Sequence, residues 1–486
     1  MTRLGALILL AAAFNSSAAQ DPPPAGKPPA EEYEERCNKI TTALADEHAN
    51  VGAYLTSAQM HDWARIEYNN AIKQVPLHEK ANKGLGYTVW NEEDKKWETD
   101  PSKIPQTGNR KKGEEADKVW TEYQKRTEQL GKKIGRLYFE LGTWCVKNLA
   151  AEKDKSESAF RRAIQYDPLS KDARTKLGHQ KQKDGGWLSP EEVKLRKEMK
   201  EGIAKAPKGS ADASPSDFAD KLGLKTKKQA AEHLVVESPH LDQKALETLV
   251  QHAEHAYAMF LKMFNQNSLF EGKRTLLILK DKGQHEKYVD TFGANWSSEQ
   301  RKLSKECIGT GNERYQGEHP QAQLEDWVIH RVIMMCSEAM AGGERHWLHE
   351  GLAYHFTRQM HDSCMTHCTS LRGTGAGDGG KDYSDSTTWH ILIREWLKSG
   401  KDPDIFKIFK CRTLAELKGG DPVKSWSLCE FLAVEWREKL IDFMQKLRAV
   451  KQEEDEKTFE AVFGWTLPDF DNRWKVYARA VFMDAK

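Results

Sequence analysis

The stretch Asp326 to Thr357, DWVIHRVIMMCSEAMAGGERHWLHEGLAYHFT, decides the fold of this chain. A helix carrying His330 runs into a short turn at Gly342-Gly343, and a second segment, Trp347-Leu348-His349-Glu350-Gly351-Leu352-Ala353-Tyr354, follows it. Residues four apart share one helical face, so an imidazole and a second ligand at that spacing can reach one ion. The position four after His330 is Met334, whose neutral thioether is a poor partner for a divalent ion beside imidazole and carboxylate. The residue that follows His330 is Arg331, which cannot accept a proton at any useful pH and so cannot activate a water molecule.

Working outward, His233 to Glu237 is a short β-type run. Leu241 to Phe264 places Leu246, Leu249, Val250, Ala253, Tyr257, Phe260, Leu261 and Phe264 at helical spacing. Arg274 to Lys280, RTLLILK, predicts a buried strand ended by Asp281-Lys282-Gly283. On the far side, Lys424-Ser425-Trp426 enters an amphipathic helix through Trp436, and a second helix runs from Leu440 to Val450. Phe463-Gly464-Trp465 and Trp474 follow.

This order of strand, long helix, strand and motif helices resembles the catalytic domain of gluzincin zinc peptidases, and most closely the peptidase MA-like group of secreted bacterial proteins. The likeness runs from about His233 to the C-terminus, and its most specific piece is Trp347 to Tyr354, which resembles the family pattern Trp-Leu-x-Glu-Gly-x-Ala-Tyr. In that family a first helix bears His-Glu-x-x-His, two ligands and a general base, and a second helix supplies a glutamate as third ligand. The resemblance makes His330 and Glu350 the metal-site candidates, with Met334 where the second ligand belongs and Arg331 where the base belongs. It therefore implies a scaffold with no catalytic residue and no cofactor expected, zinc being the ion the pattern would admit. A lone buried carboxylate is costly. Arg331 is accordingly expected to stand in for the cation and pair with Glu350.

The rest of the chain is read from composition. At 486 residues it is long for one core. With 74 Lys and Arg against 73 Asp and Glu, charge offers no case for nucleic acid or an anionic membrane as partner. Residues 1–19 have the basic start, apolar run and small-residue end of a secretory signal, the run being too short for a comfortable membrane span. The protein is expected to be exported, periplasmic or extracellular, with no integral membrane segment after cleavage. Export would let the eight cysteines bridge, six of them in the C-terminal half.

Residues 20–30 are a Pro-rich leader, and 31–192 a helical module with an internal repeat. Ala71-Ile72, Pro76-Leu77, Ala81, Leu85-Gly86 and Trp97 recur as Ala163-Ile164, Pro168-Leu169, Ala173, Leu177-Gly178 and Trp187. Each copy resembles the second helix of a tetratricopeptide repeat, which implies either a surface for a polypeptide or protein partner or a structural spacer. Between the copies, Asn91 to Gly113 reads as an exposed loop. Residues 193–224 read as a linker, and 225–486 as the gluzincin-like, thermolysin-type domain. The expected fold class is α+β, mainly helical, with a small sheet in the second part.

Other chemistry-bearing residues crowd the same region. His346, His349 and His355 surround Glu350. His361, Cys364, His367 and Cys368 form a compact set of soft ligands, readable also as surface histidines with a disulfide. Gly375 to Lys381 matches a phosphate-loop spacing, but Asp382 stands where Ser or Thr should hold magnesium and no strand precedes it. His390 lies on a downstream helix. Two functions fit: a degenerate peptidase relative acting through binding, or a metallohydrolase whose ligand set is drawn from His330, Glu350 and neighbouring histidines.

Overall fold

The computed structural model describes residues 27–99, 107–181, 186–307, 309, 311–317, 321–343, 345–367 and 382–483. The signal-type segment, Cys368 and the Gly375–Lys381 loop lie outside them. The fold is a mainly helical α+β one, a helical N-terminal stretch followed by a region of helices around a small mixed sheet. Two compact units are resolved, residues 1–111 with 140–158, and residues 112–139 with 159–486. Among the described residues no helix is long and apolar enough to cross a membrane.

The internal repeat has a common local build. The first copy comprises helices Pro29–Ser57, His61–Gln74 and Glu79–Gly84, then paired strands Tyr87–Asn91 and Lys96–Thr99. The second comprises helices Glu114–Asn148, Lys153–Tyr166 and Lys171–Lys176, then strands Gln180–Lys181 and Trp187–Leu188. The Leu-Gly step ends each short helix because its glycine turns left-handed, with φ of 93° at Gly86 and 71° at Gly178. At equivalent positions Asn82 donates to the Pro76 carbonyl at 3.0 Å and Arg174 to the Pro168 carbonyl at 2.9 Å, tying the proline turn to the short helix. The tryptophans belong to the strand pairs, Trp97 facing Trp90 with ring centroids 5.5 Å apart. Part of the expected 91–113 loop is therefore a strand.

In the larger unit, the sheet holds five strands in spatial order Ser210–Ala211, Lys227–Ala230, Leu234–Ser238, Arg274–Leu279 and Glu313–Tyr315. The first two pairings are antiparallel and the last two parallel. The 193–224 segment contributes Ser210–Ala211 to this sheet, and Leu195 and Met199 of its first helix to the main core. Between the two predicted strands runs the Gln243–Met263 helix, started by Asp242, whose carboxylate accepts from the Ala245 amide. It packs on Leu234–Ser238 and against the helix that carries His330, and so connects the sheet to the site.

The helix Asp421–Glu435 departs from expectation. Every residue from Asp421 to Ala433 is buried, so it is a central helix and not an amphipathic one. Its one lysine, Lys424, is made tolerable by ion pairs to Asp402 and Asp471, each at 2.6 Å.

Candidate functional site

Two helices hold the predicted residues: Gln321–Ala341 carries His330, and His346–His361 carries Glu350. The first is apolar on most faces, burying Leu324, Val328, Ile329, Val332, Ile333 and Cys336 completely. The second is buried from Trp347 through Thr357. Gly351 explains the spacing of the motif after Glu350. A Cβ there would lie 2.5 Å from the Cys429 sulfur and 2.5 Å from the Ser425 carbonyl oxygen, both on the Asp421–Glu435 helix. The absent side chain is what lets these two helices touch. Gly351→Ala is expected to cost about 1–3 kcal/mol or more through overpacking, read as a lowered urea midpoint. An unchanged midpoint would show that the helices separate freely.

His330 Nε2 lies 3.3 Å from Glu350 Oε2, and both side chains are fully buried. Tyr354 sets its ring edge-on to His330 with centroids 4.8 Å apart, and Trp389 is edge-on to Tyr354 at 5.0 Å. His330 Nδ1 has no hydrogen-bond partner among the described residues. The 3.3 Å separation does not by itself decide against a metal, since two ligands each about 2 Å from one ion would sit about that far apart. A peptidase zinc takes three protein ligands, and among the described residues no third His, Cys, Asp or Glu atom joins His330 and Glu350 within 4.8 Å. Met334, four residues on, is a buried thioether of the hydrophobic core. Among the described residues the donor set at this pair therefore stops at two.

Arg331 does not take the place expected for it. Its guanidinium forks onto Glu338, Nη1 to Oε1 at 3.1 Å and Nη2 to Oε2 at 3.2 Å, and its Nε donates to Asn312 Oδ1 at 2.8 Å. Seven residues make about two helical turns, so Arg331 and Glu338 share a face, and Asn312 from outside the helix helps hold the guanidinium. The stand-in pairing with Glu350 is therefore corrected to a pairing with Glu338.

The neighbouring histidines are dispersed around their helix. His346 Nε2 donates to the Arg412 carbonyl at 3.0 Å. His349 Nε2 donates to the Gly342 carbonyl at 2.9 Å, while its Nδ1 meets the Ser337 hydroxyl. That is the pattern of a neutral imidazole, one donor and one acceptor, and burial, with cationic neighbours, pushes its pKa down to about 3. His355 is buried with neither ring nitrogen hydrogen-bonded among the described residues. Burial, followed by Arg196, Arg437 and Arg358, holds it well below the usual histidine range.

The described members of the compact His-Cys set, His361, Cys364 and His367, each have a separate partner. Cys364 Sγ points to the Thr366 carbonyl at 3.2 Å, His367 Nε2 donates to the Ser384 carbonyl at 2.8 Å, and His361 turns to Asp326. All seven described cysteines are free thiols, so the expected bridges are absent among the described residues. His390 is half-buried at the start of the Trp389–Ser399 helix.

One ligand group does assemble among the described residues, and it is a different one. His252, Glu325 and His361 each offer a ligand atom within 4.8 Å of the others, a cluster that could hold a metal ion. It draws on three helices, Gln243–Met263, Gln321–Ala341 and His346–His361, so no local spacing announces it. His361 was visible as a ligand type; His252 and Glu325 carried no signal in the sequence. Comparison of the chain with models of known families, with curated proteins and with solved structures found no match.

Proposed function

We propose that this chain is a degenerate relative of the peptidase MA-like gluzincins that acts by binding a polypeptide or protein partner and not by zinc-dependent hydrolysis. The observation that carries the reading is the buried His330–Glu350 pair, beside which no third His, Cys, Asp or Glu ligand lies among the described residues. The arginine at the position of the base adds to it, because Arg331 is held by Glu338 and Asn312 and could accept no proton in any case. An exported location and partner binding through the helical N-terminal stretch belong to the same proposal.

The test restores what the family pattern requires. Arg331→Glu with Met334→His is expected to give a chain that binds one additional equivalent of zinc, lost again when Glu350→Ala is added. A restored chain that gains no zinc would overturn the shared scaffold. Hydrolysis of a fluorogenic casein by the unaltered chain, abolished by Glu350→Ala, would overturn the loss of activity.

A further inference from the structure

We propose that His252, Glu325 and His361 form a binding site for one divalent transition-metal ion of the zinc or cobalt class, separate from the His330–Glu350 pair. The side chains are already set for ligation. His252 donates from Nδ1 to the Thr248 carbonyl at 2.8 Å, which leaves Nε2 as the lone-pair nitrogen, 3.9 Å from Glu325 Oε2. His361 donates from Nδ1 to Asp326 Oδ1 at 2.5 Å, which again leaves Nε2 free to ligate. The two rings meet edge-on with centroids 5.3 Å apart. A backbone carbonyl behind one imidazole and a carboxylate behind the other are the partners that fix tautomer and ring orientation in histidine-ligated metal sites. Asp326 is itself held, its Oδ2 accepting from the Met365 amide at 2.6 Å.

The donor set names the ion. Two imidazoles and one carboxylate suit zinc, cobalt and iron(II) better than magnesium or calcium, which prefer all-oxygen shells. The side chains of His252, Glu325 and His361 retain 11%, 26% and 19% exposure, so an ion there is reachable from solvent and keeps water in its remaining positions. The site ties the sheet-packed Gln243–Met263 helix to the ends of both motif helices. Through Asp326 it also anchors residue 365, two residues before His367, whose ring lies beside Tyr354. A bound ion would therefore stiffen the segment whose His367 lies beside Tyr354, without touching the buried pair.

The experiment titrates the full chain with cobalt(II) and follows visible absorption and the shift in thermal midpoint. One equivalent is expected, with a raised midpoint, and Glu350→Ala should leave both unchanged. His361→Gln and, independently, Glu325→Gln should abolish the absorption band and the midpoint shift. Asp326→Asn, which touches no ion, should weaken binding about 10–100-fold. Absence of stoichiometric binding by the unaltered chain would overturn the proposal. So would binding that survives both substitutions, or that disappears only with Glu350→Ala.

Discussion

Lys424→Met is expected to destabilise the larger unit by about 3–5 kcal/mol, the cost of breaking a buried ion pair from one side. Lys424 is fully enclosed on the central Asp421–Glu435 helix, with its ammonium between Asp402 and Asp471 and over the Trp474 ring at 4.7 Å. Lys475 completes a balanced set of four charges, 3.2 Å from Asp402 and 2.7 Å from Asp471. Removing one cation leaves two buried carboxylates sharing the other. Methionine fills nearly the same volume, so the loss measures charge more than packing. Adding Asp402→Asn to Lys424→Met removes the excess negative charge and should recover part of the loss, giving a coupling of about 0.5–3 kcal/mol. Urea unfolding of the two single variants and the double variant reads both numbers. Additive effects would contradict the network.

The second large effect is an acid limb of stability. His349 and His355 are neutral in the folded chain, the first down to about pH 3 and the second well below its usual range, and burial is the leading cause for both. In the unfolded chain they titrate near their ordinary value of about 6.5. Between those pH values the unfolded state holds more protons. Their contribution to stability is therefore complete above about pH 6.5 and is lost as the pH falls below it, toward about 3 for His349, at up to about 1.4 kcal/mol per pH unit for each ring. His355→Leu keeps a buried apolar body and removes one titrating group. Its stability should fall less steeply than that of the unaltered chain between pH 6.5 and 4. Parallel slopes would show that folding does not lower the proton affinity of His355.

Much of the scaffold was legible because its signals are local. Short apolar runs at 233–237 and 274–280 and helical spacing between them matched the strands Leu234–Ser238 and Arg274–Leu279 and the intervening helix. The proline and Leu-Gly steps of the repeat likewise mark real turns. The missed strands have the opposite character: Lys227–Ala230 reads Lys-Lys-Gln-Ala and Glu313–Tyr315 has only three residues, so neither carries an apolar run. Lys424 made a buried helix look amphipathic, because its partners Asp402 and Asp471 come from other elements. The same limit governs the site. The pairing of Arg331 with Glu338 lies beyond the one-turn spacing at which helical ion pairs are read, and the His252, Glu325 and His361 group exists only once three helices have packed.

On the proposed reading His330 and Glu350 are a buried pair and not a zinc centre. Calorimetric titration of the His361→Gln chain with zinc tests it most directly, because that substitution silences the surface cluster and leaves the pair untouched. No heat of binding above the background of free histidines is expected. One equivalent of tightly bound zinc, removed by adding Glu350→Ala, would contradict it.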